Sequence, residues 1–122
     1  MNTQKTILIV EDEAVLSQAM SFKFTKEGFE VKTASNGAEA LKILKEGSID
    51  FMVLDLIMPV MTGFEVIEAM RKAHLSVPLI VLSNLGQKED MDKIAQLGVM
   101  DYHIKANTPI SELVVMVKEK LA

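Results

Sequence analysis

Asp55 stands in an apolar run, Val53-Leu54-Asp55-Leu56-Ile57-Met58, where a carboxylate is costly to desolvate unless something pairs with it. Glu11 and Asp12, followed by Glu13, come directly after the apolar stretch Ile7 to Val10. Ser83 and Asn84 follow the apolar residues that end at Leu82, and Lys105 follows Ile104. Taken singly, Asp55 reads as a helix cap or turn acid, and Glu11 and Asp12 as acids steadying a helix N-terminus through its dipole. Thr62 is the better cap for the segment after Asp55, which favours a chemical role for the aspartate. Three carboxylates brought together repel by on the order of a few kcal/mol per pair at an effective dielectric of about 20, so a counter-charge has to be near. An oxygen-only donor set without Cys or His suits Mg²⁺, which takes carboxylates, waters and phosphate oxygens. Lys105 supplies a second, compact cation.

These residues can meet only if the intervening chain delivers them to one edge. Short β-branched runs alternate with longer stretches of helical period. Ile7 to Val10 is continuous rather than alternating, as in a strand buried on both faces. From Glu13 to Lys26 a helix is predicted with Leu16, Met20 and Phe24 on its apolar face and Val15, Ala19 and Phe22 beside them, ended by Gly28. Phe29 to Thr33, Asp50 to Leu54, Val77 to Leu82 and Asp101 to Ile104 read as further strands, with Pro78 tolerated only near the start of its strand. Asn36 with Glu39, and Thr62 with Glu65, form capping-box patterns that open helices, the second with Phe64, Ile67 and Met70 inward. Lys88 to Leu97 reads as a fourth helix, and Thr108-Pro109 as the cap and first residue of a last one running to about Leu121. Strict βα alternation implies a parallel sheet with helices on both faces, whose functional crevice lies beyond the carboxyl ends of the strands.

The 122 residues suit one domain, and with 49% hydrophobic and 25% charged residues the chain can build a core. Thirteen Lys and Arg against 17 Asp and Glu leave a net charge of −4, the wrong sign for an affinity built on neutralising phosphate backbones, so direct nucleic-acid binding is not expected. The absence of Cys excludes disulfides, thiolate zinc sites and cysteine nucleophiles. Met1 to Lys5 is polar and the apolar run after it is too short for a signal-peptide core; Phe51 to Met61, interrupted by Asp55 and Pro59, is too short for a membrane span.

Over essentially its whole length the chain resembles the receiver domains of two-component response regulators. The resemblance is carried by Ile7-Leu8-Ile9-Val10-Glu11-Asp12-Glu13, by Val53-Leu54-Asp55-Leu56-Ile57-Met58-Pro59 with Gly63, by Ile80-Val81-Leu82-Ser83 and by Asp101-Tyr102-His103-Ile104-Lys105. It implies a flavodoxin-like, doubly wound (βα)5 fold with a five-stranded parallel sheet in the order 2-1-3-4-5. Residues 1–122 would then be a single receiver domain with no output domain. The resemblance further implies that Asp55 accepts a phosphoryl group from a histidine kinase. Glu11, Asp12, Asp55 and the backbone carbonyl of Ile57 would hold Mg²⁺, with Asp12 the more direct ligand. Lys105 and the Ser83 hydroxyl would contact the phosphoryl oxygens, and Ser83 with Tyr102 would switch the surface of the fourth helix, fifth strand and fifth helix.

Such a domain assists its own phosphorylation and dephosphorylation and is not a multiple-turnover enzyme. The partners implied are a histidine kinase or phosphotransfer protein and an output domain or partner protein, with room for a homodimer formed on phosphorylation. The expected location is the cytoplasm. Two positions depart from the family pattern. Ala106 stands where proline with a cis bond is frequent, and Asn84 where a small residue is common, its amide narrowing the approach to Asp55. These departures keep an alternative open, a degenerate receiver that binds partners without phosphorylation. A flavin binder would want hydroxyls, glycine and backbone amides rather than Glu11-Asp12-Glu13 in its first loop. A haloacid-dehalogenase-like phosphatase would want a second Asp where this chain has Ile57.

Overall fold

The computed structural model describes residues 4–99 and 101–122; the polar start at Met1 to Thr3 and Met100 lie outside the described residues. Strands β1 (Thr6–Val10), β2 (Glu30–Ala34), β3 (Phe51–Leu54), β4 (Leu79–Ser83) and β5 (Tyr102–Ile104) alternate with helices α1 (Ala14–Lys26), α2 (Gly37–Glu46), α3 (Gly63–Lys72), α4 (Lys88–Gln96) and α5 (Ile110–Leu121). All pairings are parallel and the order is β2-β1-β3-β4-β5, as the alternation and the resemblance together predict.

The sheet divides the core by strand parity, because successive side chains point to opposite faces. Ile7, Ile9, Phe51, Val53, Ile80 and Leu82 face Met20 and Phe24 of α1 and Leu113, Val114 and Val117 of α5. Leu8, Val10, Met52, Leu54 and Val81 face Ala40, Leu44, Val66, Ile67, Met70 and Ile94 of the other helices. Each fully buried side chain of this kind contributes roughly 1.5–3 kcal/mol over leaving it in water. Pro78 immediately precedes β4, and its carbonyl accepts from Met52 N at 3.0 Å, so its missing N–H costs the sheet nothing.

Helix faces differ from the sequence expectation in places. In α1 the buried stripe is Ser17, Met20 and Phe24, whereas Val15 is 82% and Phe22 71% exposed. Phe22 is two residues, about 200° of helical rotation, from both Met20 and Phe24, so docking those two on the sheet turns it outward. Thr62 and Glu65 form the full reciprocal capping box. At α2 the box is shifted: Asn36 Oδ1 accepts from Glu39 N, but the Glu39 carboxylate accepts from Ser35 N at 3.1 Å and from the Asn36 side-chain amide at 3.4 Å rather than from the Asn36 backbone N–H. Thr108 does not cap α5; Pro109 occupies the cap position, and the Thr108 hydroxyl donates instead to Ile104 O at 2.9 Å. Inward in α3 are Val66, Ile67 and Met70, while Phe64 is half-buried with Lys93 Nζ 4.3 Å from its ring centroid.

The loop from β3 to α3 contains one strained residue. Val60 has φ 69° and is 82% exposed. A β-branched residue in the left-handed region costs about 1–3 kcal/mol, more than the roughly 0.5–1 kcal/mol of extra backbone entropy a glycine loses. Val60→Gly is therefore expected to stabilise the fold by about 1 kcal/mol, read as a higher urea midpoint with unchanged slope; an equal or lower midpoint would show the strain to be absent.

Candidate functional site

Parallel register brings the strand ends level. Val10 pairs with Leu54, and Ser83 with Ile104. The ladder runs one residue further, with Glu11 N bonded to Ala34 O at 3.0 Å and Asp55 N to Val10 O at 3.1 Å. Glu11 and Asp55 thus leave adjacent strands side by side at the point where strand order reverses, with β2 on one side of β1 and β3 on the other.

Glu11 is 3% and Asp55 4% exposed, while Asp12 is open to solvent. Carboxylate oxygens of the three lie within 4.8 Å of one another. The counter-charge demanded by such a cluster is Lys105, whose Nζ is 2.8 Å from Glu11 Oε1 and 2.9 Å from Asp55 Oδ2, with the exposed Glu13 at 3.8 Å. The remaining oxygens are occupied from the main chain: Glu11 Oε2 accepts from Glu13 N at 3.0 Å, and Asp55 Oδ1 from Ile57 N at 3.3 Å. Burial pushes the Glu11 carboxyl above its usual range despite the Lys105 and Glu13 hydrogen bonds, which pull the other way. Burial alone would lower Lys105, but its hydrogen bonds to Glu11 and Asp55 outweigh this and hold the ammonium above the usual lysine range.

Ser83 is fully buried, and its hydroxyl accepts from Leu85 N at 3.5 Å. Tyr102 is half-buried, packed against the β3/α3 side of the core, and its hydroxyl donates to Leu85 O. Burial raises the Tyr102 pKa, with smaller contributions from Asp90 and Asp55. No cis peptide occurs among the described residues, so Lys105–Ala106 is trans and opens a short 3-10 turn, Lys105–Asn107. Asn84 is exposed, and its Oδ1 accepts from Ala106 N at 3.0 Å. The side chain that sequence reading set across the approach to Asp55 is thus bound to the backbone just after Lys105.

The residues singled out in sequence, Glu11, Asp12, Asp55, Ser83, Tyr102 and Lys105, therefore all lie at one end of the sheet. Sequence reading missed Glu13 as a neighbour of Lys105 and missed the Asn84–Ala106 bond; the only signal for the latter was that both positions broke the same pattern. Ile57 presents its N–H to Asp55 while its side chain is 54% exposed. Glu11 and Asp12 also border a cavity of about 330 Å³ lined further by Ser17, Ala34, Ser35 and Glu39, on the β2 side of β1 and away from Asp55.

Fold and site together define a doubly wound α/β domain organised around a carboxylate crevice. Residues 7–118 match the model of the response regulator receiver domain, and the chain belongs to that family, a signalling domain and not a classic enzyme. It is 38% identical over 108 residues to a probable transcriptional regulator, ycf27, of Porphyra purpurea, covering 88% of this chain and 44% of that protein. A CheY-like receiver domain from Methanospirillum hungatei superposes with a TM-score of 0.89 at 25% identity, covering 98% of this chain and 94% of that one. The response regulator TrrA of Thermotoga maritima, solved in complex with Mg²⁺-BeF, superposes with a TM-score of 0.80 at 31% identity, covering 95% of this chain and 98% of that one.

The chain spans about half the length of the curated relatives it matches. Receiver domains of response regulators partner with histidine kinases and output domains. A relative named as a transcriptional regulator gives no support to the expectation, drawn from net charge, that nucleic acid is no partner. Among the described residues no helix is long and apolar enough to cross a membrane.

Proposed function

We propose that this domain takes a phosphoryl group from a phosphohistidine donor onto Asp55. The observation that carries the reading is a buried aspartate at the switch point of the sheet, held by the only lysine that reaches the crevice among the described residues. A carboxylate oxygen of Asp55 forms a bond to phosphorus while the P–N bond breaks, and the electron pair leaves on the imidazole nitrogen, which is then free to take a proton from solvent. Lys105 already touches Asp55 Oδ2 at 2.9 Å and is placed to meet a phosphoryl oxygen there.

Glu11, Asp12, Asp55 and the Ile57 carbonyl are the groups that would hold Mg²⁺. Their all-oxygen chemistry and the 4.8 Å spread of the carboxylates fit a hard divalent cation, and TrrA was solved with one. When bound, the ion supplies positive charge that offsets the repulsion between two anionic reactants. The Ser83 hydroxyl, now bound only to Leu85 N, exchanges that contact for a phosphoryl oxygen; Tyr102, tied to Leu85 O, follows the same loop. Two packings of the β4–α4 loop, biased by the phosphoryl group, would then present different α4-β5-α5 surfaces to an output domain or partner.

Incubation with Mg²⁺ and a small phosphodonor should add a single phosphoryl group by intact-mass measurement, and Asp55→Ala should add none. An unmodified wild-type chain, or an equally modified Asp55→Ala, would reject the reading.

A further inference from the structure

We infer that Asn84 is a positioning residue for Lys105, acting through the backbone amide of Ala106. The inference rests on the reading of Asp55 as phosphoacceptor. In the structure Lys105 is held at its tip by Glu11 and Asp55, at 2.8 and 2.9 Å. Both of those carboxylates belong to the group that would take up the cation and the phosphoryl group, so neither tip contact survives unchanged when the site is engaged. What then directs the lysine is its own backbone. That backbone leaves β5 at Ile104, turns at once through Lys105–Asn107, and has few restraints: Thr108 Oγ1 to Ile104 O at 2.9 Å, Thr108 N to Lys105 O at 3.3 Å, and Ala106 N to Asn84 Oδ1 at 3.0 Å.

The first two bonds are local, joining the turn to its own flanking residues, Ile104 and Thr108. The third ties the turn to the segment after β4, beyond the last ladder pair Ser83–Ile104, one residue after Lys105 and one residue after Ser83. Beyond the β4–β5 ladder, the two segments that carry the groups meant to meet the phosphoryl oxygens are joined by two side chains, Tyr102 to Leu85 O and Asn84 to Ala106 N, and of these Asn84 reaches the turn that Lys105 opens. A proline at position 106 has no N–H and could not make this bond, and an alanine at 84 would offer no acceptor. The two unusual residues supply the two halves of one hydrogen bond.

The test compares wild type with Asn84→Ala and Asn84→Asp, the latter keeping an oxygen acceptor at the same reach. With Mg²⁺ and a small phosphodonor, Asn84→Ala is expected to lower the maximal rate of Asp55 phosphorylation about tenfold, with the half-saturating donor concentration unchanged within about twofold, because alignment and not donor binding is lost. Asn84→Asp is expected to return the rate to within about threefold of wild type, since the acceptor is restored. Independently of phosphorylation, hydrogen exchange of the Ala106 amide should be slowed in wild type and Asn84→Asp and fast in Asn84→Ala. An unchanged maximal rate in Asn84→Ala, a loss that Asn84→Asp does not repair, or an Ala106 amide that exchanges equally in all three overturns the inference. A wild-type chain that takes up no phosphoryl group overturns the Asp55 reading as well, so the two failures are distinguishable.

Discussion

Lys105→Met is expected to cost about 3 kcal/mol of folding stability at neutral pH without divalent cations, the range for removing one partner of a buried ion pair. Lys105 is 12% exposed at its side chain, against 1% for Glu11 and 5% for Asp55, so solvent cannot replace the lost ammonium. Methionine keeps most of the apolar stem, which confines the loss to charge. Glu11 and Asp55 would then face each other with oxygens within 4.8 Å, a repulsion of on the order of 3 kcal/mol at an effective dielectric of about 20.

The sign with pH follows from Glu11. Its folded-state pKa is raised, so its ionisation works against the fold; that cost is absent below the unfolded value, grows as pH rises from the unfolded to the folded value and is fully present above it. Without Lys105 the cost is larger, so the gap between variant and wild type should be widest near pH 7 and narrow toward about pH 4. Lys105 itself has a raised pKa, so the stability it contributes is complete at neutral pH and is lost only as pH rises through the alkaline lysine range. Millimolar Mg²⁺ should stabilise the variant more than wild type, because in the variant nothing else neutralises the acids. Thermal melts at several pH values with and without Mg²⁺ provide the measurement. Equal melting temperatures near pH 7, or a gap that widens on acidification, would contradict the electrostatic account.

Gly63→Ala should be the most disruptive single-methyl change in the domain. A Cβ at Gly63 would lie 2.4 Å from Asp55 O and 2.8 Å from Leu56 Cα, both main-chain atoms that cannot swing aside. Overpacking against backbone costs up to about 3 kcal/mol, while replacing a helical glycine returns at most about 1 kcal/mol. The net expectation is a loss of about 2 kcal/mol. Because the displaced carbonyl belongs to Asp55, phosphorylation should also fall by about tenfold or more. Gly86→Ala is the matched control: its Cβ would meet only Ile104 Cδ1, at 3.3 Å, the end of a side chain that can rotate away. Denaturant melts and phosphorylation rates of the two variants should therefore separate clearly; similar values for both would show that the close approach at Gly63 is relieved without consequence.

Much of this architecture could be read before any coordinates. The strands β1, β3 and β4 were visible because central strands buried on both faces are written as continuous apolar runs, and the polar residues ending them, Glu11, Asp55 and Ser83, therefore announced the edge at which they meet. Thr62 with Glu65 was legible because a capping box is local. What stayed hidden depended on choices among several chemically adequate partners. Val15 and Phe22 are apolar but exposed, because only one stripe of α1 can reach the sheet. Thr108 is a competent cap whose hydroxyl is taken by Ile104 O. The Asn84–Ala106 bond joins residues 22 apart and uses a main-chain donor, which residue type does not reveal.

The close approaches at Gly37 and Gly63 give the crevice two walls of unequal stiffness. On one wall, main chain is pressed against main chain: a Cβ at Gly37 would lie 2.6 Å from Met61 O, and one at Gly63 still nearer to Asp55 O. That stack of α2, the β3–α3 loop and α3 has no slack to take up a displacement. On the other wall the segment after Ser83 carries exposed Asn84, Gly86 and Gln87 and is fastened to β5 by hydrogen bonds. A load applied at Asp55 therefore deflects the compliant wall and leaves the stiff one in place, so the direction in which this domain deforms is decided by where its backbones touch.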